Sequence, residues 1–377
     1  MGDGRCWLPS AALLVWTISC LAPSTGGEQQ QNGEDPTVRA DGGTATDHWG
    51  TEQDGGQATP LECGSLPRTV TEAHWGEPTD HLTTSKDRLV LMGGGAEVDE
   101  MSRFFVEGAH GGDVAVFRAS GSVTSYLEYF GAELGAAPAP AQVYTIRLDE
   151  PDASTHEGVL CRVLSAESFW LAGGDQWNYL GQWSDELHHS IAQLLSLKRT
   201  VGGTSAGAMV WGQWAFDARW GSVTSEEALH DPLGQKVSLQ ETPFGHTMLS
   251  NTLVDTHFSE REREGRLLVF MARMALAQDA QIVRGLGLDG STAISIEDGA
   301  FTVRSNANGA AWYYEASAEA VLEPGEPLSW DAITRVRLGS GAFGQWPPLG
   351  ADGAASNSYE VHRLSVSDGV IQSESVE

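Results

Sequence analysis

From residue 88 onward the apolar positions follow two alternating periods. "RLVLMGGG" at 88–95 is an unbroken apolar run closed by glycines, the signature of a strand buried on both faces. "EVDEMSRFFVEGA" at 97–109 places its apolar residues three and four apart, which predicts a helix. The same alternation continues. "GDVAVFRAS", "AQVYTIRL", "SFWLAGG" and "TVGG" read as strands, and "VTSYLEYFGAEL", residues 156–166 and "DELHHSIAQLLSLK" as helices. Strands alternating with helices predict an α/β fold, a three-layer sandwich with a mostly parallel sheet. Such sheets build their sites at the carboxyl ends of the strands. Residues 93–95, 173–176 and Ser205 all fall at such ends. After residue 280 the texture becomes short strands joined by turns, as in "GLGLDGSTAISIEDGAFTV" and "GAAWYYEA". This predicts an antiparallel β extension of the same domain. The domain is set at 81–377, with its core at 88–300 and the β-rich part at 301–377.

The first 80 residues lack both periods. An apolar run from residue 11 to 21 follows Arg5, and its length suits a signal peptide and falls short of a membrane span. "TISC" resembles a lipobox ending at Cys20, so residues 1–20 are expected to direct export, with a lipid anchor at Cys20 left open. The expected location is periplasmic or extracellular, with membrane anchoring as a lipoprotein if Cys20 is lipidated. Residues 21–80 carry eleven acids against two bases and almost no aliphatic cluster, which predicts a disordered linker. Of the four cysteines, Cys63 and Cys161 remain in an exported chain. In an oxidising compartment they either pair or stay as two buried thiols. The 377-residue chain has a net charge of −29, which makes nucleic acid and anionic lipid poor partners. No Cys/His spacing suggests a metal, and no cofactor is expected.

The strand "TVGG" runs into "VGGTSAGAMVWGQW" at 201–214, a G-x-S-x-G pattern centred on Ser205. That spacing lets a strand end, turn sharply on the serine and start a helix. A serine hydroxyl becomes a nucleophile when a base takes its proton, an acid orients the base and donors hold the oxyanion. Downstream, "LVDTHF" offers His257 straight after an apolar run, and "SVTSEEALH" offers Glu226 and Glu227 as the acid. Asp217 is a weaker candidate, placed near the end of the predicted elbow helix.

Three motifs together resemble the peptidase S51 family and its cyanophycinase branch most of all. They are "GGDQ" at 173–176, "GGTSAGA" at 202–208 and "DTHFSEREREGRLL" at 255–268, in that order along the chain. The resemblance covers roughly residues 88–370. It implies a fold like that of class I glutamine amidotransferases and a serine-type exopeptidase acting on aspartyl or isoaspartyl bonds. In cyanophycinase the substrate is a polyaspartate backbone bearing arginine. Carried over, Ser205 attacks and His257 moves the proton. The N–H groups of Gly174 and Ala206 form the oxyanion hole. Gln176, Asp255, Arg261, Arg263 and Arg266 bind substrate; planar guanidinium forks suit carboxylates.

Two positions depart from the cyanophycinase pattern. Thr256 stands where glutamine is usual, and Gly290 where an acidic residue is common. They keep open a catalytically silent binding protein on the same fold. An α/β-hydrolase esterase is a third reading, opposed by the early histidine in "DTHF". The expected partner is a small peptide or polyaspartate-type substrate, and a homodimer is left open.

Overall fold

The structure, a computed structural model, describes residues 59–278, 280–348 and 359–376. The expected signal peptide, Cys20 and the linker as far as residue 58 lie outside the described residues. In chain order the strands are β1 (Val70–Gly76), β2 (Arg88–Met92), β3 (Asp113–Arg118), β4 (Gln142–Leu148), β5 (Ser168–Leu171), β6 (Thr200–Thr204), β7 (Trp214–Phe216), β8 (Leu239–Glu241), β9 (Thr252–Thr256), β10 (Ile282–Leu288), β11 (Thr292–Glu297), β12 (Ala300–Ser305), β13 (Ala310–Ser317), β14 (Trp330–Gly339), β15 (Phe343–Gln345), β16 (Tyr359–Ser367) and β17 (Val370–Ser375). The helices are α1 (Asp99–Glu107), α2 (Glu157–Leu164), α3 (Asp185–Ser196), α4 (Ala206–Met209), α5 (Ser225–His230) and α6 (Glu264–Ala277).

These strands form two sheets. The first has the order β1-β4-β3-β5-β6-β2-β11-β12-β15, and the second β17-β16-β14-β13-β10-β9-β7-β8. The neighbours from β4 to β2 in the first sheet are all parallel, and β1 and β11 flank them antiparallel. Alternate residues of β2 show why this block is buried on both faces. Val90 and Met92 join α1 and Trp170 in one apolar cluster, whereas Leu89 and Leu91 join α3 and part of the second sheet in another. A third cluster packs α6 against the other face of the second sheet.

The expected α/β class and the alternation up to Ser205 match this architecture. The expected single sheet does not. The predicted antiparallel extension is split: β11, β12 and β15 extend the first sheet, while β10, β13, β14, β16 and β17 build the second. The chain crosses between the sheets at residues 289–291, again at 306–309 and again at 340–342. Hairpin texture alone carries no information about which sheet a strand joins. The helix expected over 123–134 is reduced to a single π turn, Tyr129–Glu133. The linker boundary at 80 is also corrected. Within that stretch, β1 pairs along its whole length with β4, and Cys63 is disulfide-bonded to Cys161 of α2 with Cα atoms 5.5 Å apart. β1 is a half-buried edge strand with few aliphatic residues, so hydropathy did not reveal it.

Candidate active site

Ser205 sits between β6 and α4 with φ 53° and ψ −122°. A non-glycine residue with positive φ costs backbone energy and is found where a turn demands it. Here the turn falls at the carboxyl end of β6, an interior strand of the first sheet. The glycines around it allow close passage: a Cβ at Gly207 would lie 2.0 Å from the Leu171 carbonyl oxygen. The Ser205 N–H donates to the Met92 carbonyl at 3.0 Å, tying the elbow to the end of β2.

His257 follows β9 of the second sheet, and its φ is also positive, at 47°. Its N–H donates to the Gly93 carbonyl at 2.9 Å, which holds the histidine over the end of the first sheet. The Ser205 Oγ and His257 Nε2 lie 3.0 Å apart. Gly94, at φ 90°, closes the pair from below; a Cβ there would stand 2.4 Å from His257 Cε1 and Nε2 and 3.1 Å from Ser205 Cβ. Burial holds the imidazole below its ordinary pKa, and Arg261 and Arg263 lower it further, against opposing pulls from Glu260 and Asp255. A neutral imidazole beside a hydroxyl is able to accept its proton at neutral pH.

The backbone N–H groups of Gly174 and Ala206 make no backbone hydrogen bond among the described residues. Gly173 lies against the serine: a Cβ there would be 3.5 Å from Ser205 Cβ. Gln176 donates from Nε2 to the Phe216 carbonyl at 3.4 Å, so part of its amide is committed to the protein. Beside it the exposed Arg219 guanidinium lies 5.1 Å from the ring centres of both Trp177 and Trp220. This cation between two indoles was not read from the sequence, since nothing in the spacing of tryptophans marks a rim.

The structure redistributes the predicted substrate arginines. Arg266 is 2% exposed and every guanidinium nitrogen is engaged: Nε and Nη2 grip Asp255 at 2.7 and 2.6 Å, and Nη1 reaches Ser222 and the Val223 carbonyl. Arg263 is buried, and its Nη1 donates to Asp255 at 3.2 Å and to the Thr256 carbonyl at 2.6 Å. Asp255 also accepts the Thr256 N–H at 2.8 Å. Asp255 and Arg266 are therefore corrected to a buried ion cluster beneath His257, with Arg263 largely committed to it. Arg261 alone of the three is exposed, and it makes no ion pair among the described residues.

The predicted acids are displaced as well. Glu227 closes the capping box of α5 with Thr224 and pairs with Lys236 at 2.8 Å. Glu226 lies on the exposed surface of the same helix. Neither is hydrogen-bonded to His257. The local sequence T-x-x-E is a helix-start signal, and that role claims Glu227. Asp217 does not end the elbow helix; it follows β7, buried, and accepts the Arg219 N–H and the Ser238 hydroxyl.

Three carboxylates, Asp80, Asp113 and Glu167, bring oxygens within 4.8 Å of one another. They gather at the opposite ends of the parallel strands from Ser205. Most of their oxygens are already engaged: Glu167 takes Arg199 and the Asp113 N–H, and Asp113 takes the His81 N–H and Gln142. Asp80 Oδ1 is the buried oxygen of this polar knot without a partner among the described residues, and burial raises the pKa of Asp113 to about 6 and of Glu167 to about 7.

No family model matches the chain. Among solved structures it is similar to a peptidase from an acI-B1 Actinobacterium, at 17% identity and a TM-score of 0.41, over 60% of this chain and 91% of that one. It is also similar to a candidate peptidase E protein from Listeria monocytogenes EGD-e, at 14% identity and a TM-score of 0.34, over 59% of this chain and 98% of that one. Neither likeness bears on the chemistry of the site, which rests on the geometry above.

Proposed function

We propose that this chain is an exported serine-type hydrolase that cleaves aspartyl or isoaspartyl peptide bonds. The observation that carries the reading is the 3.0 Å contact between Ser205 Oγ and His257 Nε2 at a positive-φ elbow. In the proposed cycle Ser205 attacks the scissile carbonyl while His257 accepts the hydroxyl proton at Nε2. The oxyanion takes hydrogen bonds from the N–H groups of Gly174 and Ala206. His257 then returns the proton to the leaving amine, and water releases the acyl group by the same steps.

The acidic side of the substrate is assigned to Arg261, and more loosely to Arg219 beside Trp177 and Trp220. Both are exposed cations without an ion-pair partner among the described residues, on a chain with a net charge of −29. A carboxylate-bearing substrate needs such local positive points on an otherwise repelling surface. Export is supported by the apolar leader and by the disulfide between Cys63 and Cys161, since disulfides persist in oxidising compartments.

A fluorophosphonate probe together with a substrate panel tests the reading. The probe is expected to label the wild type and to leave Ser205→Ala unlabelled. Cyanophycin and a set of Asp-X and isoAsp-X dipeptides are expected to include at least one that is turned over. Labelling that survives in Ser205→Ala removes the serine as nucleophile. Absence of both labelling and turnover in a folded protein favours the binding-protein reading.

A further inference from the structure

The loop after β5 begins at the nucleophile. A Cβ at Gly173 would be 3.5 Å from Ser205 Cβ. The loop then continues through Gly174 to Trp177, and four residues of extended chain span at most about 14 Å. The loop after β7 comes to the same place. Gln176 Nε2 donates to the Phe216 carbonyl at 3.4 Å, and beyond Phe216 the chain turns through Asp217–Gly221.

Both loops are held in shape by their own bonds. Asp217 is buried; Oδ1 accepts the Arg219 N–H at 2.9 Å and Oδ2 the Ser238 hydroxyl at 3.0 Å. Ala218 has φ 55°, and its carbonyl accepts the Gly221 N–H at 2.8 Å. This turn leaves Arg219 and Trp220 exposed, Trp220 by 49%. On the first loop the Trp177 N–H donates to Asp175 Oδ1 at 3.0 Å. The Trp177 indole lies over Gly181, where a Cβ would come within 2.3 Å of the ring.

Arg219 Cζ is 5.1 Å from the ring centres of both Trp177 and Trp220. Indole faces attract a guanidinium through the ring quadrupole, and this attraction uses none of its N–H donors. Among the described residues those donors make no hydrogen bond and no ion pair. The neighbouring carboxylates, Asp175 and Asp217, each accept a backbone N–H instead. Arg263 and Arg266 are the opposite case, with donors spent on Asp255. A guanidinium fixed by ring contacts with its fork still open is preorganised for a carboxylate.

Resting on the serine-hydrolase reading, we propose that Arg219, clamped by Trp177 and Trp220, is a second carboxylate subsite beside the one assigned to Arg261. It selects peptides with a free carboxylate within about four residues of the scissile bond, since an extended substrate advances by the same length per residue as the loop. Arg219 determines specificity and moves no proton.

Binding to the full chain carrying Ser205→Ala, which leaves peptides intact, tests this. The ligands are amidated alanine pentapeptides with aspartate first in one series and last in the other. Each carries glutamate, or glutamine as its control, at one of the other four positions. Affinities are read by isothermal titration calorimetry, with Tm as the check that each variant is folded. At one or more positions glutamate is expected to bind on the order of tenfold more tightly than glutamine, the scale of a charge-assisted hydrogen bond. Adding Arg219→Gln is expected to bring that ratio to unity, and Trp220→Ala to lower it. Arg261→Met is expected to weaken all the peptides alike and to keep the ratio. No preference for glutamate at any position, or a preference unchanged by Arg219→Gln or by Trp220→Ala, overturns the proposal. Turnover is not read in this assay. If the wild type is neither labelled by the probe nor active, the hydrolase reading fails separately, and the glutamate preference of the Ser205→Ala chain still decides whether Arg219 is the subsite.

Discussion

At the scale of single residues, the pH behaviour of the site follows from His257. Its pKa is held below the ordinary value by burial and then by Arg261 and Arg263, so the base form is present from mildly acidic pH upward. Probe labelling of Ser205 is therefore expected to rise along a limb centred below pH 6.5 and to be level at neutral pH. A limb centred above 6.5 contradicts this. Glu97, near the elbow, titrates in the opposite sense. Burial raises it to about 7, against opposing pulls from the Tyr126 hydroxyl, which donates to Oε1 at 2.5 Å, and from Thr204. Its folded-state pKa exceeds the unfolded value of 4.5, so the folded state binds a proton that the unfolded chain has already released. Its contribution to stability falls as pH rises from about 4.5 to about 7. Glu97→Gln keeps the acceptor for Tyr126 and removes the ionisation. Its Tm is expected to match wild type near pH 4.5 and to exceed it at pH 8.

At the scale of elements, the site is a meeting of two strand ends from different sheets. β6 delivers Ser205 and β9 delivers His257, with the turn after β2 between them. Gly94→Ala is expected to fold yet to lose most labelling, because its Cβ would occupy the space of the imidazole. Retained labelling with an unshifted His257 resonance would mean that the turn yields. The ion cluster beneath His257 is a separate structural device. Removing one partner of a buried pair leaves an uncompensated charge and costs about 3–5 kcal/mol. Arg266→Met is therefore expected to lower the denaturant midpoint strongly, whereas Arg261→Met leaves stability unchanged and weakens binding of acidic peptides.

At the scale of the whole molecule, the disulfide between Cys63 and Cys161 ties the segment before β1 to α2 across 98 residues of chain. In the chain-entropy account a closed loop of that length contributes about 4–5 kcal/mol. Cys63→Ser, or reduction of the wild type, is expected to lower Tm without abolishing probe labelling, since Ser205 lies at the far end of the strands. What the sequence determined by itself was local and periodic. Unbroken apolar runs specified β2, β3 and β5, 3.6-residue periodicity specified α1 and α3, and a glycine-flanked serine marked a strand-to-helix elbow, because burial on both faces and a tight turn each demand particular residues in consecutive positions. Tertiary structure alone decided which arginines are free, what the predicted acids are bound to and which sheet each late strand joins. Asp255, Arg263 and Arg266 read as a carboxylate-binding run until their mutual distances show them spent on one another, and Glu227 reads as a candidate acid until the capping box of α5 and Lys236 claim it. Pairing of charges and pairing of strands are contacts between distant parts of the chain, and their energies depend on separation and burial that no local pattern encodes.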